Sequence, residues 1–342
     1  MRMGSGTLTI DNFLKTIPLL TESKRLWIGY SGGLDSHVLL DLAVQAFRTL
    51  NNGENDEINP YFIGAIHVHH GLSPNADGWA EHCEQICSEL QVPLKILWVD
   101  ATPMSGESQE EAARIVRYKA WEEFLQPEDC LMLAHHEGDQ AETILLRLFR
   151  GAGPLGLGGM NQKSKLGEQD LIRPLLLNSK EQIESYAKER KLNWIEDESN
   201  LDTRFDRNFL RHEIFPKLNA RWPRVVRSVS RSAALCLETA TAVQVLASQD
   251  LETVHSVTEK ALSVKSLLKL EPIRRRGVLR CWFKNLGFLS PSRDHLERID
   301  REVLQAKPGS KPRLKIDDYE IRRLKDDLCV KKCEEWELID MV

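Results

Sequence analysis

The sequence lacks the long hydrophobic runs and the cysteine patterns of several protein classes. No stretch approaches the ~18 consecutive apolar residues that a membrane-spanning helix needs, and the opening segment, MRMGSGTLTIDNF, lacks the apolar core of a secretory signal. The 7 cysteines are odd in number and show no disulfide framework. We therefore expect no membrane association and predict a soluble protein of the reducing cytoplasm.

An excess of one charge sign is also missing. The 342 residues include 46 Lys and Arg and 51 Asp and Glu, which gives a net charge of −5. With 42% hydrophobic and 28% charged residues, the composition is that of a globular protein. The length suits about two domains. This balance excludes a uniformly basic coat but permits a local basic face, since only nearby charge contacts a phosphate.

Strand-like and helix-like segments alternate along roughly the first 200 residues. Short apolar runs predict four strands, at 25–30, 61–68, 94–99 and 130–134. Apolar residues at helical spacing predict the helices that follow them, at 36–50, 75–90, 108–125 and 137–149. Alternation of this kind predicts an α/β fold with a doubly wound, mainly parallel sheet.

The rest of the chain is predicted to contain a glycine-rich loop, three helices and several short alternating segments. In that order they cover residues 151–159, 179–190, 221–250, 272–286 and 308–330. The strand pattern fades beyond about residue 205. We therefore predict a catalytic domain over 1–217 and a smaller, mainly helical domain over 218–342.

The sharpest local pattern is the hexapeptide SGGLDS at 31–36, between the first predicted strand and helix. Its glycines let successive N–H groups turn inward, and such a nest at a helix N-terminus binds phosphate. Asp35 would repel a phosphate unless a cation lay between them, so it is predicted to bind Mg²⁺. A plain capped turn is the alternative. Neither GxxxxGK[ST] nor GxGxxG is present, which argues against the P-loop and Rossmann nucleotide sites.

This hexapeptide resembles the phosphate loop of the N-type ATP pyrophosphatases. That family includes GMP, NAD and asparagine synthetases and several tRNA-modifying enzymes. The resemblance implies cleavage between the α and β phosphates of ATP, adenylation of the substrate and displacement of AMP by a nucleophile. It also implies that ATP is held by Ser31, Gly32, Gly33, Leu34, Asp35 and Ser36.

Four further segments resemble one branch of this family, the tRNA(Ile)-lysidine synthetases. They read HVHHGL at 67–72, LMLAHHEGDQAE at 131–142, WIEDESN at 194–200 and RNFLR at 207–211. The resemblance runs from about residue 25 to 218, and the combination of these segments is specific to this branch. A weaker similarity continues over 274–330. The longest members carry a further C-terminal domain, which we do not expect here.

The reaction implied by this resemblance uses ATP, Mg²⁺, free L-lysine and an isoleucine tRNA with a CAU anticodon. The C2 oxygen of the wobble cytidine would be adenylated, with release of pyrophosphate. The ε-amine of lysine would then attack C2, and AMP would leave. The lysidine formed by this carbon–nitrogen ligase would change the codon and amino-acid specificity of the tRNA.

Polar residues at the ends of the predicted strands are candidates for this chemistry. Ligands bind beyond the carboxyl ends of parallel strands, where His67, His136 and Asp139 fall beside Asp35. We assign the histidines to ATP and the two aspartates to Mg²⁺ and catalysis. Glu142 shares a helix face with Asp139, and we assign both to lysine because a carboxylate holds an ammonium and accepts its proton. Alternatively, both are helix N-terminal carboxylates stabilised by the macrodipole.

Position 138 departs from the family pattern, which usually has two consecutive aspartates in this segment. Gly138 precedes Asp139 here, so either the first carboxylate is dispensable or metal binding is weaker. We expect Gly138→Asp to change activity little or to help slightly, since it recovers up to ~0.5 kcal/mol of helix propensity. The histidine clusters do not indicate zinc, because the cysteine pairs have the wrong spacing for zinc ligands.

Arginines are concentrated between residues 204 and 232, which hold 8 basic and 2 acidic residues. Such a cluster is typical of a surface that binds a phosphate backbone. The predicted tRNA contacts are Arg204, Arg207, Asn208, Arg211, Arg221, Arg224, Arg227 and Arg231, with Arg114 and Arg117 nearer the active site. The spacing of the last four arginines predicts that they line one face of a single helix in the second domain, which we expect to bind tRNA. These four are Arg221, Arg224, Arg227 and Arg231. A solvated helix face is the alternative.

Two other functions remain open. The first is an amidotransferase or ligase of the same fold that acts on a small acid or purine, although this length leaves no room for a glutaminase module. The second is a non-catalytic nucleotide- or RNA-binding module, against which the intact SGGLDS, Asp139 and Glu142 argue. The oligomeric state is also open, with a homodimer as one alternative.

Overall fold

The computed structural model describes residues 7–23, 25–51, 61–103, 109–307 and 309–340. The chain divides into two compact units, Met1–Cys236 and Leu237–Val342, and the division falls within a long helix. The predicted domain boundary after residue 217 stays a prediction. Ser108 and Pro308, the first residues of two predicted segments, lie outside the described residues.

The first unit contains a six-stranded sheet with helices on both faces. Its strands are β1 Arg25–Gly29, β2 Phe62–His69, β3 Leu94–Trp98, β4 Asp129–Met132, β5 Lys163–Leu166 and β6 Gln169–Ile172. Its helices are α1 Ile10–Leu20, α2 Leu34–Asn51, α3 Ala76–Leu90, α4 Gln109–Phe124, α5 Glu137–Phe149, α6 Pro154–Leu157, α7 Lys180–Glu189, α8 Asp206–Phe209 and α9 Phe215–Arg221. The next helix, α10 Val225–Thr253, contains the division between the units.

The sheet confirms the predicted doubly wound, mainly parallel architecture. The strand order is β3-β2-β1-β4-β6-β5, and every neighbouring pair is parallel except β5 with β6. Successive side chains of β1 point to opposite faces, where Leu26 and Ile28 join one buried cluster and Trp27 joins another. Both faces of the central strands are therefore covered, as a parallel sheet requires.

The hairpin of β5 and β6 is an element that the sequence pattern does not predict. β5 reads KSKL, which contains no apolar run, and it lies at the edge of the sheet. β6 is parallel to β4, with Met132 opposite Ile172. Because β6 ends at the same edge as β4, Arg173 is brought to the side of the sheet where ligands bind.

The second unit combines short helices with an antiparallel sheet, so "mainly helical" describes it incompletely. Its strands are β7 Leu262–Ser263, β8 Arg313–Ile316, β9 Tyr319–Leu324 and β10 Asp327–Lys332, in the order β7-β10-β9-β8. Its further helices are α11 Val264–Leu267, α12 Pro272–Asn285, α13 Arg293–Arg298 and α14 Cys333–Asp340. The short alternating segments of the sequence become β8 to β10, since alternation lets one face pack on a core that includes Phe283.

The prediction of one helix that begins at residue 221 is wrong. α9 ends at Arg221 and α10 begins only at Val225. Trp222 has φ −132° and ψ 88° because the following Pro223 disfavours a helical conformation there. Arg221 and Arg224 therefore do not lie on the helix that carries Arg227 and Arg231.

Two further observations concern the helices. The predicted loop at 151–159 includes the short helix α6. Within the described ranges, no helix combines the length and the apolar character needed to cross a lipid bilayer.

A buried ion pair fixes α2 against α7. Asp41 is only 2% exposed, and its carboxylate accepts hydrogen bonds from Tyr186 Oη at 2.8 Å and from Arg190 Nε at 3.1 Å. α2 begins inside the SGGLDS hexapeptide. The pair therefore holds the helix whose N-terminus forms the phosphate loop.

We expect Asp41→Ala to lower the free energy of unfolding by about 1–3 kcal/mol, because Tyr186 loses a buried acceptor and Arg190 its partner. Urea unfolding followed by circular dichroism measures this, and hydrogen exchange of α2 peptides locates it. Glu123→Ala is the control, since Glu123 forms only an exposed pair with Lys119, and it should cost less than about 0.5 kcal/mol. Equal losses in the two variants would contradict the assignment.

Candidate active site

A cavity of about 550 Å³ opens at the carboxyl edge of the parallel strands. The segments that follow β1, β2, β4 and β6 contribute to its lining. The predicted residues in this lining are Ser31, Gly33, Asp35, Ser36, His67, Arg114, Arg117, Asp139 and Arg207. Groups that lie far apart in the sequence therefore meet at one site, as expected for a parallel sheet.

The SGGLDS hexapeptide forms a turn whose own side chains hold its shape. Gly32 has φ +83°, and a Cβ there would lie 3.1 Å from Ile195 Cδ1, so conformation and space both require glycine. Ser36 Oγ donates to the Gly33 carbonyl at 2.9 Å and accepts the Ser31 N–H at 3.2 Å. The turn is thus preformed at the N-terminus of α2, a position suited to an anion.

Asp35 lies between two basic side chains. One carboxylate oxygen accepts a hydrogen bond from Lys180 Nζ at 2.7 Å, and the other is 3.9 Å from His136 Nε2. His136 Nε2 is also 3.6 Å from Asp139 Oδ2. One imidazole therefore lies between the two carboxylates predicted to bind a cation.

His136 is the N-cap residue of α5. Its Nδ1 accepts the Gly138 N–H at 2.9 Å, and the Asp139 carboxylate accepts the His136 N–H at 2.9 Å. A Cβ at position 138 would lie 2.7 Å from His136 Cε1. Gly138 thus makes room for the capping imidazole. A side chain at position 138 would require the His136 ring to shift, which argues against the expectation that an aspartate there changes little.

Arg211 joins Asp139 to Glu142. Its Nε and Nη2 donate to the two oxygens of Glu142 at 2.8 and 3.0 Å, and Nη2 also donates to Asp139 Oδ1 at 3.2 Å. The Glu142 side chain is only 4% exposed. A bidentate pair of this kind is a strong, charge-assisted interaction. Arg211 therefore lies at the carboxylates predicted to bind lysine, and its tRNA contact stays a prediction.

The surroundings move the pKa values of these two carboxyls in opposite directions. Burial raises the pKa of Glu142, and Arg211 offsets only part of that effect. Burial also acts to raise the pKa of Asp139, but His136, His135 and Arg211 outweigh it and hold that pKa below its usual value. Asp139 is thus the firmly ionised member of the pair, and Glu142 is the better proton acceptor.

Two histidines of the cavity are neutral at pH 7. Burial lowers the pKa of His67, whose Nδ1 lies 3.0 Å from the Tyr30 carbonyl. Burial also lowers the pKa of His135 to about 4. A neutral His67 that donates through Nδ1 keeps Nε2 as an acceptor, which suits an amino or hydroxyl group of a nucleotide.

The predicted tRNA residues outside the carboxylate pair fall into three environments. Those that line the cavity are Arg114, Arg117 and Arg207. Those exposed on the surface are Arg204, Arg221, Arg224, Arg227 and Arg231. Asn208 is buried, and its amide donates to the carbonyls of Ser199 and Asp202. Asn208 therefore holds the preceding turn in place, and a direct RNA contact from it stays a prediction.

Three basic residues of the site are not identified from the sequence. Arg147 lies eight residues after Asp139 on α5, and two helical turns would have indicated it. Lys180 opens α7 after the N-cap Ser179. Arg173 follows β6, which carries no strand pattern, so only the fold brings it to the cavity.

Comparisons with known proteins identify the family to which this chain belongs. A family profile described as a PP-loop domain matches residues 7–218, and one described as the TilS substrate binding domain matches residues 262–329. The tRNA(Ile)-lysidine synthase of Coxiella burnetii is 42% identical over 92% of this chain and 68% of that protein. The chain belongs to the tRNA(Ile)-lysidine synthase family. The corresponding protein of Pectobacterium atrosepticum is also 42% identical, over 93% of this chain and 70% of that protein.

The fold of the first unit also occurs in a solved structure. The U34-tRNA thiolase NcsA from Methanococcus maripaludis has a TM-score of 0.55 and 17% identity, with 69% of this chain and 86% of that chain covered. At this identity the similarity shows the fold alone. The PP-loop match includes the SGGLDS hexapeptide, so membership in the family confirms the predicted resemblance and the use of ATP.

We expect both Gly138→Asp and Gly138→Ala to slow pyrophosphate release, because either side chain displaces the capping ring of His136. Loss of a buried hydrogen bond of about 1–3 kcal/mol corresponds to roughly 5- to 100-fold in rate. Steady-state pyrophosphate release at saturating ATP and tRNA measures it.

Gly78→Ala is the matched control, since Gly78 lies in α3 and a Cβ there meets nothing within 4 Å. Gly138→Asp activity at or above that of the unchanged protein would overturn the steric argument. Such a result would restore the expectation drawn from the sequence.

Proposed function

We propose that this protein joins the ε-amine of free L-lysine to C2 of the wobble cytidine in an isoleucine tRNA with a CAU anticodon. The observation that carries the proposal is a cavity lined by the phosphate-binding loop and Asp139, with Asp139 and Glu142 already bound to the cationic side chain of Arg211. Membership in the tRNA(Ile)-lysidine synthase family supports the choice of substrates.

In the first step, the C2 oxygen of cytidine attacks the α phosphate of ATP and pyrophosphate leaves. The N–H groups of the loop and the N-terminus of α2 are suited to the departing phosphates. Lys180, bound to Asp35, adds positive charge beside them. Asp35 and Asp139 fit a Mg²⁺ ion, because such sites combine one or two carboxylates with phosphate oxygens. When bound, the ion would neutralise phosphate charge.

In the second step, the lysine amine attacks C2 and AMP leaves. Free lysine carries an ε-ammonium, since its pKa in water is about 10.4, so the amine must lose a proton before it attacks. Asp139 and Glu142 already hold a guanidinium, and a lysine ammonium matches the same oxygens. Glu142 then accepts the proton, because burial gives it the higher affinity for one. Arg211 must share these oxygens or release them as lysine enters.

The tRNA would be bound through its phosphate backbone. The exposed arginines Arg221, Arg224, Arg227 and Arg231 suit contacts outside the cavity, and Arg114, Arg117 and Arg207 suit contacts within it. The cytoplasmic location and the homodimer stay predictions.

The proposed reaction makes pyrophosphate release depend on tRNA, and AMP release depend on lysine. We expect no pyrophosphate without tRNA, an adenylated tRNA when only lysine is omitted, and lysidine when all substrates are present. Mass spectrometry of the digested tRNA detects each state. Asp35→Asn should reduce adenylation by roughly 100-fold or more, because the lost charge acts on the phosphates in the transition state. Undiminished adenylation by that variant would remove Asp35 from the site.

We expect Glu142→Gln to raise the KM for lysine by roughly 10-fold or more while tRNA adenylation persists, since an amide neither pairs with an ammonium nor accepts its proton. Single-turnover assays that follow adenylated tRNA and lysidine separately measure the two steps. Glu137→Gln is the control, because Glu137 opens the same helix but, among the described residues, forms no ion pair with Arg211. An unchanged lysine requirement in Glu142→Gln would make Glu142 a structural partner of Arg211 only.

A further inference from the structure

One wall of the cavity is lined by five arginines. They are Arg114, Arg117, Arg147, Arg173 and Arg207. They come from α4, α5, the end of β6 and α8, so four separate elements direct them to one place. Carboxylate partners are few: Arg114 pairs with Glu111 at 2.8 Å and Arg207 lies 3.7 Å from Glu110.

Arg173 is the most deeply placed of the five. It is 7% exposed, and its Nη1 donates to the Asn161 carbonyl and to Ser164 Oγ, both at 2.9 Å. Within the described residues, its Nε is buried without a hydrogen-bond partner, and no carboxylate forms an ion pair with it. A buried guanidinium that lacks an anionic partner is costly for a protein unless a ligand supplies the anion.

The same wall contains two further unsatisfied groups. In the part of the chain that the structure describes, Arg117 Nε and His135 Nδ1 are also buried without a hydrogen-bond partner. Arg147 donates only to the carbonyls of Gly156 and Gly159, which carry no net charge. Three residues that line one cavity therefore leave polar atoms unpaired, which is unusual in a folded protein unless a ligand completes the site.

The arginines also oppose one another. Burial lowers the pKa of Arg147, and the charges of Arg114, Arg173 and Arg207 lower it further. This mutual repulsion raises the free energy of the empty site. An anion with several oxygens, such as a phosphate, would relieve it, because each guanidinium offers a planar set of donors that matches phosphate oxygens.

The sheet order separates Arg173 from the phosphate loop. The loop follows β1 and Arg173 follows β6, with β4 and the carboxylates of α5 between them. Adjacent strands are about 4.8 Å apart, so the two strand ends lie roughly 10 Å from each other. Arg173 is thus on the far side of Asp139 from the loop that fits the pyrophosphate. A phosphate there belongs to the second reactant.

We propose that Arg117, Arg147 and Arg173 form a subsite for a tRNA phosphodiester next to the reacting cytidine. This inference rests on the proposed function. A cytidine that reaches the cavity brings its two flanking phosphates with it, and the unpaired guanidiniums bind one of them. The subsite orients the base through its backbone. It therefore acts by positioning and takes no part in the bond changes.

The test combines protein variants with tRNAs that carry a single neutral methylphosphonate. The modification replaces the phosphate on the 5′ side of the target cytidine, on its 3′ side, or three nucleotides away. We expect one flanking substitution to slow single-turnover adenylation by the unchanged protein by about 10- to 100-fold, the range of a lost charge-assisted hydrogen bond. Arg173→Met should slow adenylation of the natural tRNA by a similar factor. The modified tRNA should not be adenylated any more slowly by this variant than the natural tRNA is. The distant substitution should add its effect to that of Arg173→Met.

Arg117→Met is the second variant, because its guanidinium donates to no backbone carbonyl within the described residues and methionine keeps an apolar contact with the Trp121 ring. Arg224→Gln is the control: it should weaken tRNA binding and lower the log–log salt slope by roughly 0.7 to 0.9. Its effect should add to those of both flanking substitutions. Thermal unfolding of each variant separates a loss of fold from a loss of contact.

The inference would be overturned if the rate loss caused by Arg173→Met or Arg117→Met simply added to the rate loss caused by the methylphosphonate, at both flanking phosphates and for both variants. A raised KM for ATP without coupling to the tRNA would instead assign the wall to ATP phosphates. A raised KM for lysine alone would assign it to the lysine carboxylate. If the unchanged protein forms no lysidine on natural tRNA, the proposed function fails. If lysidine forms without coupling, only this inference fails.

Discussion

The parallel pairing of β1 with β4 is the constraint on which the rest of the site depends. Ile28 lies opposite Met132, so β1 and β4 end side by side. The segment after β1 enters the phosphate loop, and the segment after β4 leads to the N-terminus of α5. Two helix N-termini then face one cavity, where the positive ends of the two helix dipoles favour negative charge. Asp35 and Asp139 are brought near one imidazole as a direct consequence.

The carboxylates of the site are paired with cations from distant parts of the chain. Lys180 reaches Asp35 from α7, and Arg211 reaches Asp139 and Glu142 from the π-helical segment Leu210–Ile214 that follows α8. Without Arg211, the pKa values of Asp139 and Glu142 would be higher, because burial raises both and the charge of Arg211 opposes that effect. The same cations limit access, because a substrate that uses these oxygens must compete with a side chain already bound to them. Charge is therefore balanced on one side of the cavity and left in excess on the arginine wall.

The elements that sequence reasoning places correctly are those with strong local signals. α5 begins at Glu137 and ends at Phe149 as predicted, because apolar residues at helical spacing mark it. β5 and β6 lack an apolar run, and the helix break at Pro223 depends on one residue within a long helical pattern. Gly138 is a different case. Helix propensity favours a side chain at this position, whereas a Cβ there would lie 2.7 Å from His136 Cε1, so the ring would have to shift.

The sequence by itself determined the phosphate loop, the parallel sheet and the carboxylates of α5, since each is encoded within a few consecutive residues. Only the tertiary structure decided which cations meet those carboxylates. Arg211 reads as one more member of a basic segment, yet the fold turns it inward to Glu142. Arg173 gives no signal before β6 is known. Long-range ion pairs and unpaired buried charges depend on how elements pack, and no local pattern records that packing.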